Sequence, residues 1–206
     1  MSATQRHPGL NLDGDEPSTS VLEHGLFGFW IFLMSDAVVF ALLFATYGTM
    51  LGATAGAPGP GELFKLKPAF IETLVLLASS FTWGMGSVAL KYNQGRRGAL
   101  LGWMAVTLTL GLVFLGMEAS DFAKMFDKNA YPTQSGFLSA FFALVPLHGL
   151  HVLAGCLWIV VMIAQVLAIG IDAQVKTNFL RLGLFWHFLD IIWIAIFSIV
   201  YLQGLA

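Results

Sequence analysis

The chain has 206 residues, of which 57 % are hydrophobic and only 11 % charged, with a formal net charge of −2. A water-soluble domain carries about 25 % charged residues, so the composition excludes a soluble enzyme, and the near-neutral balance leaves no basic field for nucleic acid. The one cysteine, Cys156, excludes a disulfide framework or a thiolate metal cluster within the chain, and in its apolar run it reads as a small hydrophobe.

Residues 1–25 are polar and acidic, with Asp13, Asp15, Glu16 and Glu23 among prolines, serines and threonines. No basic stretch leads into a short apolar core there, so a cleavable signal peptide is not expected, and the segment reads as a flexible tail on one membrane face. Long charge-free runs follow: Ala37 to Gly61, Thr73 to Leu90, Gly98 to Met117, Asn129 to Ile171, and a last run from Gly183 broken only by His187 and Asp190. They predict spans over 26–50, 68–91, 98–117, 136–169 and 178–203. Pro68 suits a first helical turn, where its missing donor is not needed. The fourth run holds 43 residues, but a break at Pro146, its only candidate breaker, would leave a first piece rising only about 15 Å, half the hydrocarbon thickness. One long helix, kinked at Pro146, is expected instead. The fold class is therefore all-α, a polytopic membrane protein with a five-transmembrane-helix bundle over residues 26–206.

An odd number of spans puts the termini on opposite faces. The side of the N-terminus would hold Arg6, Lys91, Arg96, Arg97, Lys176 and Arg181, and the other side Lys65, Lys67, Lys124 and Lys128. All the arginines fall on the first side, so the positive-inside rule places the N-terminus in the cytoplasm and the C-terminus in the periplasm. No internal repeat is visible, which argues against a transporter built from inverted repeats.

Seven titratable side chains lie within or at the ends of the apolar runs: Asp36, Glu72, Glu118, His148, His151, His187 and Asp190. A charge in lipid is costly, so each is expected to face protein or water. Counting at 1.5 Å per residue from the cytoplasmic end of each span sorts them into two buried layers. Glu72, Glu118, His148 and His151 fall in an outer layer, and Asp36, His187 and Asp190 in an inner one. His148 and His151 share a helix face at i, i+3. Haem ligation would need two histidines on different helices at one depth, and His187 lies in the other layer. A zinc or copper site would have only carboxylates to complete it. The structural reading pairs His148 or His151 with Glu118 or Glu72 between helices, and Glu118 is expected to touch one of the two. A proton relay uses the same parts. Glu72 opens an otherwise apolar helix, ETLVLLASSFTWGM. It is expected either to react with a hydrophobic carbodiimide or to make a plain helix–helix hydrogen bond to Ser or Thr.

Trp103, Trp186 and Tyr92 read as an interfacial belt, and Phe137, Phe141 and Phe142 as packing or lipid-facing groups. Ser79, Ser80, Gly84 and Gly86 give the second span a small-residue face for close contact. No dinucleotide-binding glycine pattern, P-loop or nucleophile elbow occurs, so no independent active site is expected.

These residues resemble subunit III of the haem–copper terminal oxidases, in its short five-helix form. The resemblance rests on FGFWIFLMSD (Phe27 to Asp36), ETLVLLASS (Glu72 to Ser80) and GMEASDF (Gly116 to Phe122). It rests most specifically on SGFLSAFFALVPLHGLHV (Ser135 to Val152) and LFWHFLDIIWIAIFSIVYL (Leu184 to Leu202). Five motifs in order cover all five spans; Pro146-Leu147, where the family shows small or polar residues, is a departure. Length and wording are most similar to the bacterial cytochrome bo-type ubiquinol-oxidising branch.

The resemblance implies an accessory subunit that holds no cofactor, with haems and copper in a large catalytic subunit I and with subunits II and IV alongside. The complex would oxidise ubiquinol bound elsewhere, reduce oxygen to water and pump protons across the bacterial inner membrane. This chain would stabilise subunit I, support proton uptake and hold phospholipids along an oxygen route. Glu72 would match the family's buried reactive carboxylate, Glu118, His148 and His151 its central polar cluster, and Asp36, His187 and Asp190 the inner one. Two alternatives stay open: a stand-alone proton channel or small transporter, and the same subunit in a cytochrome c-using oxidase.

Overall fold

The structure, a computed structural model, describes residues 17–56, 58–92 and 97–203. Five helices are long and apolar enough to cross a membrane. In chain order the elements are α1 (Pro17–Met50), the short α2 (Pro60–Leu63), α3 (Leu66–Tyr92), α4 (Arg97–Asp127), α5 (Gly136–Ala168) and α6 (Ala173–Ile196), which continues as a π-helical turn over Phe197–Leu202. These five helices follow the charge-free runs, because a run without charge transfers into lipid favourably along its whole length.

Two boundaries differ. α1 is already helical from Pro17, inside the segment read as a tail; residues 1–16, with Arg6, lie outside the described residues, as does Arg96. α4 runs to Asp127, ten residues beyond the expected end at Met117. Its last turns tolerate charge because Lys124 donates to Asp121 Oδ1 at 2.6 Å, an i, i+3 pair that satisfies itself on the helix surface.

α3 and α4 form an antiparallel hairpin, α5 packs between α4 and α6, and α1 lies against α5 and α6. Only 11 % of the most apolar window of α1 is buried in the bundle, against 56 % for α6. So α6 is the central helix and α1 an outer one, with Phe27, Phe32, Val38 and Leu42 facing outward.

Close approach is permitted by missing side chains. A Cβ on Gly155 of α5 would lie 2.9 Å from the Trp186 ring, and one on Gly111 of α4 would lie 2.9 Å from both Trp186 and Cys156 Sγ. Trp186 thus fills a slot cut by two glycines, with Cys156 as a small buried neighbour. Hydroxyls tie the helices further. Trp186 Nε1 donates to Ser79 Oγ at 3.0 Å and Trp193 Nε1 to Thr73 Oγ1 at 3.1 Å, while Thr82 and Thr107 share a 2.8 Å hydrogen bond between α3 and α4. The expected small-residue face of α3 is therefore used through Ser79, and Gly86 lets Trp103 and Phe179 approach. Trp186 is not part of an interfacial belt. It is 1 % exposed, because its indole N–H finds an acceptor inside the bundle.

α5 starts at Ser135, whose hydroxyl accepts from Leu138 N, and runs unbroken through Pro146 to Ala168. Gly170 beyond it has φ +93°, and the Arg97 guanidinium lies close over it. Phe137 and Phe141 are fully buried. The linker helix α2, which hydropathy did not signal, delivers Phe64 onto both of them and onto Tyr201.

Candidate functional site: the intramembrane polar groups

The seven candidate residues do not form two layers. His151 Nε2 lies 3.2 Å from Asp36 Oδ2, joining a residue expected in the outer layer to one expected in the inner. The cause is the vertical offset of α1. Asp36 is nineteen residues from the helix start at Pro17, and His151 seventeen from the helix end at Ala168, so the two meet at one depth. Counting from Leu26 had set Asp36 too low.

The chemistry of that contact is constrained. His151 Nδ1 lies 2.7 Å from the Leu147 carbonyl, which can only accept, so Nδ1 carries a proton and donates. Nε2 then faces Asp36 Oδ2 at 3.2 Å, a close approach without hydrogen-bond geometry, since Oδ2 has no hydrogen-bond partner; the two side chains are 21 % and 15 % exposed.

His148, three residues away, has a different environment. It is fully buried, and neither ring nitrogen has a hydrogen-bond partner. Three aromatic rings enclose it: Trp193 stacks at 5.3 Å and 29°, Phe114 stands edge-on at 6.0 Å and 90°, and Phe40 lies at 6.5 Å and 70°. Phe40 also contacts the His151 ring at 5.3 Å, so it separates the two histidines' surroundings.

The expected contact of Glu118 with a histidine is not found. No hydrogen bond or ion pair joins Glu118 or Glu72 to either ring among the described residues. Glu118, on the α4 face toward α5, sits over Gly149: a Cβ there would lie 2.6 Å from Oε2. The glycine between the two histidines receives the carboxyl group, while both rings turn elsewhere. Glu72 is 1 % exposed, and Oε1 has no partner. Beside it on the same helix, Thr73 donates to Ala69 O and accepts from Trp193 Nε1.

The third group lies between α3 and α6. Ser80 Oγ is 2.6 Å from His187 Nδ1, and Asp190 Oδ2 is 3.9 Å from the same nitrogen. Both neighbours share one ring nitrogen, so this is not the relay geometry of a hydrolase, in which the nucleophile and the orienting carboxylate sit at opposite nitrogens of the histidine base. Asp190 is buried, but the His187 side chain is 50 % exposed on the outside of the bundle, against the expectation that it is buried. Ser80 was noted only as a small residue; its spacing gave no sign of its role.

Among the described residues no group of three or more His, Cys, Asp or Glu is arranged to hold a metal ion. What the arrangement can do is hold helices together and, at Asp36–His151, bring a carboxyl group and an imidazole from two helices face to face.

The sequence profile of cytochrome c oxidase subunit III matches residues 11–205. The chain is similar to the cytochrome bo(3) ubiquinol oxidase subunit 3 of Pseudomonas aeruginosa, with 46 % identity over 179 residues, covering 87 % of this chain and 85 % of that one. It is also similar to the protein of that name from Buchnera aphidicola subsp. Baizongia pistaciae, 40 % identical over 187 residues and 91 % and 95 % of the two chains. A cytochrome c oxidase subunit 3 from Alkalihalophilus pseudofirmus is 39 % identical over 191 residues, 91 % and 92 % of the two chains. With five membrane-length helices in the expected order and a match across almost its whole length, the chain belongs to the cytochrome c oxidase subunit III family, the accessory subunit of the haem–copper oxidases.

Proposed function

We propose that this chain is the cofactor-free subunit III of a proton-pumping terminal ubiquinol oxidase of the bacterial inner membrane. Its partners on this reading are the large haem–copper subunit I, subunits II and IV, and phospholipids. It would stabilise subunit I, support proton uptake and maintain lipid and oxygen access. The N-terminus would lie in the cytoplasm and the C-terminus in the periplasm, in keeping with the distribution of arginine.

The observation that carries the reading is the 46 % identity to a ubiquinol oxidase subunit over 87 % of the chain. Two structural facts favour an accessory subunit over a lone proton channel. Phe40, Phe114 and Trp193 close around His148, so the buried polar groups are separated by aromatic rings. His187, half-exposed within α6, is a polar group that lipid tails would not tolerate and a partner would cover. The similarity to a cytochrome c oxidase subunit keeps that donor as a second reading.

Purification through a tag on this chain in mild detergent tests the proposal. Co-elution of a haem-bearing large subunit with quinol-driven oxygen uptake is expected. A colourless homo-oligomer would overturn the assignment, and uptake driven only by cytochrome c would move it to the second reading. Glu72 is expected to react with a hydrophobic carbodiimide, and unchanged labelling of a Glu72→Gln variant would refute its role as the reactive carboxylate.

A further inference from the structure

Glu72 is 1 % exposed and its Oε1 has no hydrogen-bond partner, yet the residue is not sealed in. It lines a cavity of about 270 Å3 in the groove between α3 and α4, with Pro68 of α3 and Gly116, Ser120, Asp121 and Lys124 of α4. That volume has room for roughly nine water molecules at about 30 Å3 each. Ser120, Asp121 and Lys124 supply the polar partners that such water needs.

The groove has a direction. Pro68 stands two residues from the start of α3 at Leu66, and Lys124 three from the end of α4 at Asp127. One end of the cavity is therefore at the membrane surface where α3 begins and α4 ends. Glu72 is six residues inside α3, about 9 Å from that surface. In the opposite direction the interior is closed, because Leu76, Trp83, Phe114 and Trp186 are each at most 2 % exposed. The hydroxyls there are committed between helices, Ser79 to Trp186 and Thr82 to Thr107. A cavity at the far end of α3 reaches only to Trp83, about 16 Å further along the helix. An unpartnered buried carboxyl needs water or a proton, and the groove brings both from one face.

We propose that Glu72 is a proton-exchanging carboxyl, open through this groove to the face where α3 begins and α4 ends and closed to the opposite face. The titratable groups around it are Glu118, Asp121 and Lys124 of α4 and Tyr201 of the π-helical turn. Asp121 and Lys124 bond each other, and Glu118 lies over Gly149, which leaves water in the groove as the exchange partner of Glu72. With the N-terminus in the cytoplasm this face is the periplasmic one, so a proton taken up from the cytoplasm does not pass through Glu72. The inference rests on the membrane-spanning helices and not on the oxidase partners; the orientation decides only the name of the face.

Thiol labelling from each face tests this in membrane vesicles of both orientations that carry the whole complex. Glu72→Cys is made in a Cys156→Ala background, so that this chain has one cysteine. In the same background Thr133→Cys, in the loop before α5, and Gln174→Cys, at the start of α6, are exposed reporters of the two faces. A charged, membrane-impermeant methanethiosulfonate is added and the mass of this chain is read. Glu72→Cys is expected to gain the label in the orientation that labels Thr133→Cys, and to gain none in the orientation that labels Gln174→Cys. Adding Gly116→Leu, whose side chain enters open space on the cavity wall, should remove that gain and leave Thr133→Cys labelling unchanged. Labelling of Glu72→Cys in the other orientation, in both or in neither would overturn the proposal, as would labelling that ignores Gly116→Leu. If Glu72→Cys does not assemble, the wild-type chain is read instead, by amidation of Glu72 with a water-soluble carbodiimide and a membrane-impermeant amine. The same one-sidedness is expected there, and its absence overturns the proposal. One-sided labelling in a chain that co-purifies with no large subunit would refute the oxidase assignment alone, so the two failures are distinguishable.

Discussion

His148 and His187 stand on adjacent helices and represent opposite ways of keeping an imidazole in a membrane. His148 is fully buried in a box of aromatic rings with both nitrogens unbonded, whereas His187 is bonded to Ser80 and backed by Asp190 yet half-exposed on the outer surface. Burial and pairing are separate properties. A buried unpartnered polar group costs about 1–3 kcal/mol in desolvation, so His148 persists because packing around Trp193 holds it in place. His187 has its partners already, and what it lacks is cover. The interior of this bundle is held by packing and a few buried hydrogen bonds, and the exposed His187 is suited to another surface.

That contrast can be broken from the inside first. Trp193→Ala removes the ring stacked on His148 and the donor to Thr73, and should destabilise the bundle by about 3–5 kcal/mol. Thermal loss of the folded protein in detergent would measure it, and a shift no larger than that of a surface substitution would show that the box is not structural. Gly155→Ala follows. Its Cβ would meet the buried Trp186 ring at 2.9 Å, and overpacking of this kind costs about 1–3 kcal/mol. A Gly155→Ala/Trp186→Phe double variant should recover part of the loss in the same melt, since the smaller ring frees the slot.

A smaller effect is expected at the pair between these extremes. Asp36→Asn removes the carboxylate that faces His151 Nε2. Measured side-chain hydrogen bonds between membrane helices average about 0.6 kcal/mol, so stability should fall by roughly that amount, while the amide signals of α1 and α5 in hydrogen exchange become less protected. Unchanged exchange on both helices would show that the contact does not join them.

The smallest effect separates the two histidines directly. His148→Phe replaces an unbonded imidazole by an apolar ring in an aromatic box, and should leave stability within about 1 kcal/mol, because no hydrogen bond is lost. His187→Phe should likewise leave the isolated chain folded but reduce retention of the large subunit during purification. If His148→Phe alone lowers that retention, the roles assigned to the two histidines are reversed.

Much of the fold could be read directly. The charge-free runs located five spans, and Cys156 behaves as the small buried hydrophobe it resembled. α4 was cut short because Glu118 was taken as the edge of the membrane region. Its carboxyl group in fact lies over Gly149, and the charges beyond it form their own pair at Asp121–Lys124. Of the polar site, the participants were legible and their pairings were not. His148 and His151 share a helix face, yet a small rotation sends one into aromatic rings and the other to Asp36. Hydropathy does not report rotation. Nor could it separate Trp186, held under two glycines, from a tryptophan at the interface.

Hydrophobicity is a local quantity, a transfer free energy summed along the chain. The sequence by itself therefore determined the number of spans, their approximate ends and which residues would be costly in lipid. Which costly residues meet depends on where each helix starts, how it is turned and how near its neighbours come. Those are set by contacts between distant segments, such as Gly149 beneath Glu118 and Gly111 and Gly155 around Trp186. Only the tertiary structure decided that Asp36 and His151 face each other and that His148 stands alone among rings.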